Sequence, residues 1–156
     1  MPTRCITTPL FTLIVTEQDG AVVSARFAAD NDPELCCADD TPLLCQAEHE
    51  LLCYASGTLT RFTVPLSPAG TAFMKSVWAQ LQDIPYGLTR TYGEVATLCG
   101  NPRAARAVGG ACNRNPIAVL IPCHRVVGSN GALTGFAAGL DTKDRLLRLE
   151  QEGRPL

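Results

Sequence analysis

A short proline-containing connector at residues 65–70 divides the sequence into two parts of different chemistry. Proline and glycine at this density interrupt helices and central strands. The charge changes sign near the same place. Residues 1–74 contain three basic and nine acidic side chains, a net charge of −6, whereas residues 75–156 contain ten basic and six acidic side chains, a net charge of +4. We therefore predict two domains, 1–68 and 69–156. The positive charge of the second fits a domain that binds a polyanion, and it fits ordinary variation of surface charge equally well.

The whole-chain composition excludes several classes of protein. The chain has 156 residues, 46% of them hydrophobic, which is enough to bury a core. No stretch approaches the roughly 18 apolar residues of a membrane span, and the N-terminus lacks a signal-peptide layout. We expect a cytoplasmic protein whose eight cysteines are reduced. Because no C-x-x-C pair occurs and there are only two histidines, we expect no metal and no other cofactor.

The N-terminal half predicts a small α/β domain with antiparallel strands. Two β-rich runs flank Asp19-Gly20, a dipeptide typical of tight hairpin turns, so residues 11–27 are predicted to form a hairpin. Apolar residues at helical spacing predict a helix over residues 42–56. A short strand is predicted over residues 59–64.

The C-terminal half predicts a mainly helical domain. Apolar spacing predicts a helix over residues 72–81. Thr91, followed three residues later by a glutamate, predicts a capping box that opens a helix over residues 92–98. Pro102 is suited to the start of a second helix over residues 103–113. A short helix, a glycine-containing turn and an arginine-bearing helix form the layout of a helix-turn-helix, which ordinary helical hairpins share.

The second of these helices carries very small side chains around Arg106. Gly109 and Gly110 each reduce helix stability by about 1 kcal/mol relative to alanine, so a close approach would be a reason for their presence. Two interpretations stay open. The helix lies against a nucleic-acid backbone or groove, or it packs tightly against another helix.

An apolar run that starts at residue 115 leads directly into Pro122-Cys123-His124-Arg125. A thiol becomes a good nucleophile when a base or a cation lowers its pKa from about 8.5, and His124 and Arg125 are candidates for that role. Neighbouring side chains often point apart, so a bridging water is the geometry by which His124 would reach the thiol. The other cysteines fit better as small buried hydrophobic residues, and no role follows for Cys36-Cys37.

These motifs resemble the O6-alkylguanine-DNA alkyltransferase family, the methylated-DNA–protein-cysteine methyltransferases. The resemblance implies an α+β fold: a small N-terminal α/β domain with antiparallel strands that is ribonuclease H-like, and a mainly helical C-terminal domain with a helix-turn-helix. It covers the C-terminal half, and the N-terminal half is similar only in element order and connector. The matching segments are Phe73-x-x-x-Val77-Trp78, Ile84-Pro85-Tyr86-Gly87, Tyr92-Gly93-Glu94-Val95-Ala96, Arg106-Ala-Val-Gly-Gly110, Asn115-Pro116, Pro122-Cys123-His124-Arg125-Val126, Thr134-Gly135-Phe136 and Glu150.

The resemblance implies a single-turnover suicide reaction. The Cys123 thiolate would attack the alkyl carbon on O6 of guanine, with O4-alkylthymine as a further substrate, and the S-alkylcysteine would not be regenerated. His124 would take the thiol proton through water, and Glu150 would hold His124. Asn115 would support the active-site turn by hydrogen bonding, and Tyr92 would donate a proton to the leaving guanine.

The resemblance also implies how DNA is bound. The lesion lies inside a duplex, so the base has to leave the stack before the thiol can reach it. Arg106 would fill the vacated space from the minor groove of double-stranded DNA, and the protein would act as a monomer without an obligate protein partner. Further contacts to DNA are expected from Arg90, Thr91, Ala105, Gly109 and Arg114.

The base pocket is expected to consist of Val126, Phe136, Ala137 and Ala138. The family often has tyrosine in place of Phe136 and glycine in place of Ala138. Both differences predict a narrower pocket and an altered tolerance for bulky alkyl groups.

Three alternatives stay open on the sequence. A non-reacting sensor of alkylated bases has the same fold but lacks the reactive cysteine, so Cys123 argues against it. A Cys-His hydrolase of small molecules would need an oxyanion hole and turnover. A purely structural DNA-binding module would require that Cys123 is buried and unreactive.

Overall fold

The chain has a mixed α/β architecture, which confirms the predicted mixture of helices and antiparallel strands. The computed structural model describes residues 1–136 and 139–152. Within these ranges there are an antiparallel three-stranded sheet and five α-helices. Across the same described residues, no helix combines the length and the apolar character needed to cross a bilayer.

The chain divides into two compact units. The first unit comprises Met1–Pro68 and Pro116–Leu120, and the second comprises Ala69–Asn115 and Ile121–Leu156. The segment Pro116–Leu120 lies in the C-terminal domain by the sequence-based boundary, but in the structure it forms a parallel bridge from Ile117 to the sheet of the first unit.

The sheet of the first unit contains β1 (Thr3–Thr7), β2 (Thr12–Gln18) and β3 (Ala21–Phe27) in the order β1-β2-β3. The predicted hairpin is confirmed, because Asp19 and Gly20 have φ values of 52° and 80° between β2 and β3. Positive φ at both central residues is the requirement of a tight type I′ turn. β1 was not predicted.

Helix α1 (Pro42–Ala55) follows the sheet at the predicted place. The Thr41 hydroxyl accepts a hydrogen bond from the Leu44 N–H at 3.2 Å, and Pro42 occupies the first turn, where its missing N–H has no cost. Leu44 and Leu51 are fully buried and contribute to the core of this unit.

The prediction of a strand over residues 59–64 is wrong, because these residues form bends and irregular structure. The Thr63 N–H donates to Glu50 Oε1 at 2.7 Å, and the Thr63 hydroxyl donates to Glu50 Oε2 at 2.5 Å. The carboxylate of Glu50 on α1 therefore accepts the backbone hydrogen bond that a neighbouring strand would otherwise have accepted. The chain joins the sheet only later, through one parallel bridge between Val22 and Leu66.

The second unit is mainly helical, as predicted. The indole N–H of the buried Trp78 donates to the Ala111 carbonyl at 2.9 Å and so joins two of its helices. Its elements are α2 (Ala72–Gln82), β4 (Arg90–Thr91), α3 (Tyr92–Leu98), α4 (Ala105–Asn113), a 3-10 helix (Cys123–Arg125), β5 (Val126–Val127) and α5 (Leu140–Glu152).

The capping box at the start of α3 is confirmed, but α4 starts two residues later than predicted. The Thr91 hydroxyl accepts from the Glu94 N–H at 3.1 Å, and the Glu94 side chain accepts from the Thr91 N–H at 3.0 Å. Before α4, the Asn101 side chain accepts from the Arg103 N–H at 3.1 Å. This local turn holds the chain outside the helix, so Pro102 is not part of α4.

Candidate active site

Cys123 lies at the start of the 3-10 helix and is 8% exposed. The Asn115 side chain hydrogen-bonds the thiol, and it also donates to the Ile121 carbonyl at 2.9 Å. Burial raises the pKa of the Cys123 thiol, while the Asn115 hydrogen bond and the charge of Lys143 oppose that rise. The thiol is therefore protonated at neutral pH and needs a base to become a nucleophile.

His124 and Glu150 form a fully buried pair. His124 Nε2 lies 2.6 Å from Glu150 Oε2, and neither side chain is exposed. Burial lowers the pKa of His124, with Glu150 opposing the effect. For Glu150, burial favours the neutral form, but hydrogen bonds from His124 and Arg125 lower its pKa to about 2. The pair is thus a neutral imidazole beside a carboxylate.

Further donors fix the carboxylate of Glu150 in place. Arg125 Nε donates to Oε1 at 2.8 Å, and a terminal Arg125 nitrogen donates to Oε2 at 3.1 Å. The Gly87 N–H donates to Oε1 at 3.2 Å, and Arg125 also donates to the Ile84 carbonyl at 2.7 Å. The segment Ile84-Pro85-Tyr86-Gly87 therefore contributes a backbone donor and acceptor around this buried charge.

The sequence suggested Arg125 as the cation that lowers the pKa of the thiol. In the structure, Lys143 has this effect. The Arg125 guanidinium is committed to Glu150 and the Ile84 carbonyl. Lys143 is fully buried on α5, and its Nζ donates to the carbonyls of Val126 at 2.6 Å and Thr134 at 2.7 Å. Burial lowers the pKa of Lys143, and a thiolate at Cys123 or Cys112 would raise it.

Tyr92 lies in the same neighbourhood, at the first turn of α3. Its hydroxyl accepts from the Thr134 hydroxyl at 3.0 Å, and its ring centroid is 6.0 Å from Lys143 Nζ. Burial raises the pKa of Tyr92, so the phenol stays protonated at neutral pH. The parallel pairing of β4 with β5 brings the start of α3 beside the residues that follow the 3-10 helix.

The residues predicted to contact DNA lie on β4, on α4 and next to them. Arg106 and Arg114 are exposed, and Arg90, Thr91 and Ala105 are half-buried. A Cβ built on Gly110 meets no atom of the described residues within 4 Å, whereas one built on Gly109 meets the Tyr92 ring at 3.9 Å. Packing among residues 1–136 and 139–152 thus gives no reason for glycine at position 110.

The expected base pocket is described only in part. Val126 is fully buried in β5, and Phe136 is half-buried. Ala137 and Ala138 lie outside the described residues. Over residues 1–136 and 139–152, no group of three or more His, Cys, Asp or Glu side chains is arranged to hold a metal ion.

Comparison with known proteins places this geometry in a family. Residues 72–152 match the DNA-binding domain of 6-O-methylguanine DNA methyltransferase. The chain belongs to this family. It is 41% identical, over 97% of its length and 93% of the relative's, to the methylated-DNA–protein-cysteine methyltransferase of Mycolicibacterium paratuberculosis.

Two further relatives are informative. The methylated-DNA–protein-cysteine methyltransferase of Methanosarcina acetivorans is 61% identical over 101 residues, and this match spans 65% of each chain. A crystal structure of Mycobacterium tuberculosis OGT in complex with DNA has a TM-score of 0.87 at 40% identity, covering 98% of this chain and 94% of that one. The fold of this 6-O-methylguanine DNA methyltransferase family member is therefore that of a solved relative over nearly its whole length.

Two residues of the candidate site were not predicted from the sequence. Lys143 lies three, four and seven residues before Leu146, Leu147 and Glu150, so it shares their buried helix face. That periodicity was available in the sequence and indicates a buried lysine. The hydrogen bond from the Gly87 N–H to Glu150 could not be predicted in this way, because nearly every residue type has a backbone N–H.

Proposed function

We propose that this protein repairs alkylated DNA by transferring an alkyl group from O6-alkylguanine irreversibly to Cys123. It acts as a methylated-DNA–protein-cysteine S-methyltransferase with a single turnover, and O4-alkylthymine is a second substrate. The observation that carries the proposal is the 2.6 Å hydrogen bond between His124 and Glu150. Cys123, the residue before His124, has a buried side chain, and the chain belongs to the 6-O-methylguanine DNA methyltransferase family.

The proton of the thiol leaves through His124. Ionised Glu150 can only accept a hydrogen bond, so His124 Nε2 carries the hydrogen and the imidazole lone pair resides on Nδ1. Nδ1 takes the Cys123 proton through a water molecule, and Glu150 stabilises the imidazolium that forms.

The thiolate then attacks the alkyl carbon. A sulfur–carbon bond forms, the bond between that carbon and O6 breaks, and its electron pair goes to the guanine. Tyr92 donates its phenolic proton to the departing base. Burial makes the Cys123 thiolate a high-energy species, and the reaction converts it into a neutral thioether. To remove the alkyl group from this thioether, the cysteine would have to depart as a thiolate, which is a poor leaving group, so the protein acts once.

The basic second unit binds the duplex through its minor groove. Helices α3 and α4 form a helix-turn-helix, and Arg106 fills the space left by the flipped base. The relative Mycobacterium tuberculosis OGT has been crystallised in complex with DNA, which supports this assignment. Contacts that hold the duplex come from Arg90, Thr91, Ala105, Gly109 and Arg114.

The remaining assignments complete the proposal. The N-terminal domain, residues 1–68, is ribonuclease H-like, and residues 69–156 carry DNA binding and alkyl transfer. The flipped base is received by Val126, Phe136, Ala137 and Ala138. The protein acts as a monomer, and its location in the cytoplasm stays a prediction.

Replacing Cys123 by serine tests the proposal. Cys123→Ser is expected to transfer no methyl group from a duplex that contains O6-methylguanine and to bind that duplex as tightly as the unmodified chain. The matched control is Cys112→Ser. Burial raises the pKa of the Cys112 thiol to about 12, and no histidine adjoins it in sequence as His124 adjoins Cys123, so its loss should leave transfer unchanged. Transfer by Cys123→Ser, or release of product by many turnovers per protein, would contradict the proposal.

A further inference from the structure

Two cysteines of the first unit face each other across an edge of the sheet. An antiparallel bridge joins Arg4 of β1 to Ala38. Beside it, the Cys5 N–H donates to the Cys37 carbonyl at 2.8 Å. In antiparallel pairing, one step forward on one strand matches one step back on the other. Cys5 therefore lies directly opposite Cys37.

This register places the two thiols where a covalent bond could join them. Opposite residues of antiparallel strands have their side chains on the same face and Cα atoms about 4.5–5.5 Å apart. Cys37 ends this pairing, because its own N–H donates to the Glu34 carbonyl at 3.0 Å. Disulfides span Cα separations of about 4.4–6.8 Å. Both cysteines are free and half-buried. The pKa of Cys37 is raised first by burial and then by nearby negative groups, of which Cys36 has the largest effect and Cys5 a smaller one.

Cys36 does not share this arrangement, although it is adjacent in sequence. Cys36 belongs to the turn over residues 33–36, so it lies before the residues that pair with β1. It is exposed, and its Sγ lies 3.8 Å from the Pro33 carbonyl oxygen. The chain thus contains an adjacent cysteine that serves as an internal control.

We propose that Cys5 and Cys37 form a reversible disulfide by exchange with a low-molecular-weight disulfide such as glutathione disulfide. This disulfide would link β1 covalently to Cys37, which lies between β3 and α1. It is separate from the alkyl-transfer chemistry and does not depend on the proposed function.

The exchange balances in two steps. The thiolate of one cysteine attacks a sulfur of glutathione disulfide, the sulfur–sulfur bond breaks, and one glutathione leaves as its thiolate. The thiolate of the second cysteine then attacks the protein sulfur of the mixed disulfide and expels the second glutathione. Two electrons pass from the protein to glutathione disulfide, and the two thiol protons end on the two released glutathione molecules.

Peptide mapping of the full-length protein tests this assignment. The protein is incubated with glutathione disulfide, free thiols are blocked with iodoacetamide, and the unreduced tryptic digest is analysed by mass spectrometry. Cleavage after arginine releases Cys5 in peptide 5–26 and Cys37 in peptide 27–61. We expect these two peptides to be joined with the loss of two hydrogen atoms, and dithiothreitol to separate them.

Single serine variants identify the sulfur atoms. Cys36→Ser is expected to keep the cross-link, whereas Cys37→Ser and Cys5→Ser lose it. The oxidised protein and its Cys36→Ser variant are also expected to unfold at a higher temperature than their reduced forms, because the cross-link restricts the unfolded chain. A cross-link that survives in Cys37→Ser, a disulfide only between Cys36 and Cys37, or no disulfide in the unmodified chain would overturn the proposal.

Discussion

Lys143 is a fully buried cation whose Nζ donates to two backbone carbonyls in the wall of the site. Lys143→Met keeps the length of the side chain but removes both donors and the charge that favours the Cys123 thiolate. The buried Val126 carbonyl left without its donor costs about 1–3 kcal/mol. We expect a lower free energy of unfolding, slower methyl transfer, and a rate–pH profile displaced to higher pH. Chemical denaturation and single-turnover kinetics measure these quantities.

The matched control is Lys75→Met, which changes the only other lysine of the chain. Lys75 is exposed on α2, so its replacement should alter neither stability nor the rate–pH profile. A Lys143→Met variant that is less stable but retains the original rate–pH profile would show that the lysine has only a structural role.

Helix α4 contains a glycine, Gly110, that lowers helix stability and that no packing contact of the described residues requires. In the part of the chain that the structure describes, a Cβ at Gly110 meets no atom within 4 Å, so Gly110→Ala should raise the free energy of unfolding by about 1 kcal/mol through helix propensity. If the helix lies against DNA, the added methyl group should weaken duplex binding at the same time. Thermal unfolding and duplex titration at fixed salt give the two effects, which are expected to have opposite signs.

Ala107→Gly provides the reverse change on the exposed side of the same helix. It should lower stability by about 1 kcal/mol and add no bulk against the duplex. Unchanged duplex affinity in Gly110→Ala would contradict the placement of this helix face on DNA.

Elements with strong local signals could be predicted from the sequence. The Asp19-Gly20 turn and the Thr91 capping box depend on contacts between residues that are close along the chain, and the structure has both. The error over residues 59–64 has a distant cause, because Glu50 takes the backbone N–H of Thr63. The return of Pro116–Leu120 to the first unit also depends on a distant partner, the edge of β3.

The residue types of the candidate site could be predicted from the sequence, but their hydrogen-bond partners could be predicted only in part. The His124–Glu150 pair followed from the resemblance, and the hydrogen bond between them is present. The partner of Arg125 could not be inferred from adjacency to Cys123, because a side chain's direction depends on packing. The periodicity of α5 indicated Lys143, but its carbonyl partners become visible only in three dimensions.

The whole molecule should lose stability in acid because of the buried pair. Glu150 has a pKa of about 2 in the folded chain against 4.5 ordinarily, so the unfolded chain binds its proton first as the pH falls. This contribution, about 3 kcal/mol, is present above pH 4.5 and is lost as the pH falls towards 2. Burial also lowers the pKa of His124 from 6.5, so stability begins to fall below that pH. Chemical denaturation over this pH range measures the slope.

Glu150→Gln should be less stable at neutral pH and should have a flatter dependence on pH below 4.5, because the titrating carboxylate is absent. Glu152→Gln, at an exposed position of the same helix, should follow the original curve. Equal slopes for the unmodified chain and Glu150→Gln would mean that other groups cause the loss in acid.

The most direct test of alkyl transfer is mass spectrometry after mixing the protein with a duplex that contains O6-methylguanine. Cys123 is the only cysteine of tryptic peptide 115–125, and Cys112 lies in the preceding peptide, so the acceptor can be assigned without ambiguity. We predict a gain of one methyl group per protein, confined to peptide 115–125 and saturating at that level with excess duplex. An unmodified peptide 115–125 after complete mixing, or a methyl group on any other peptide, would contradict the account.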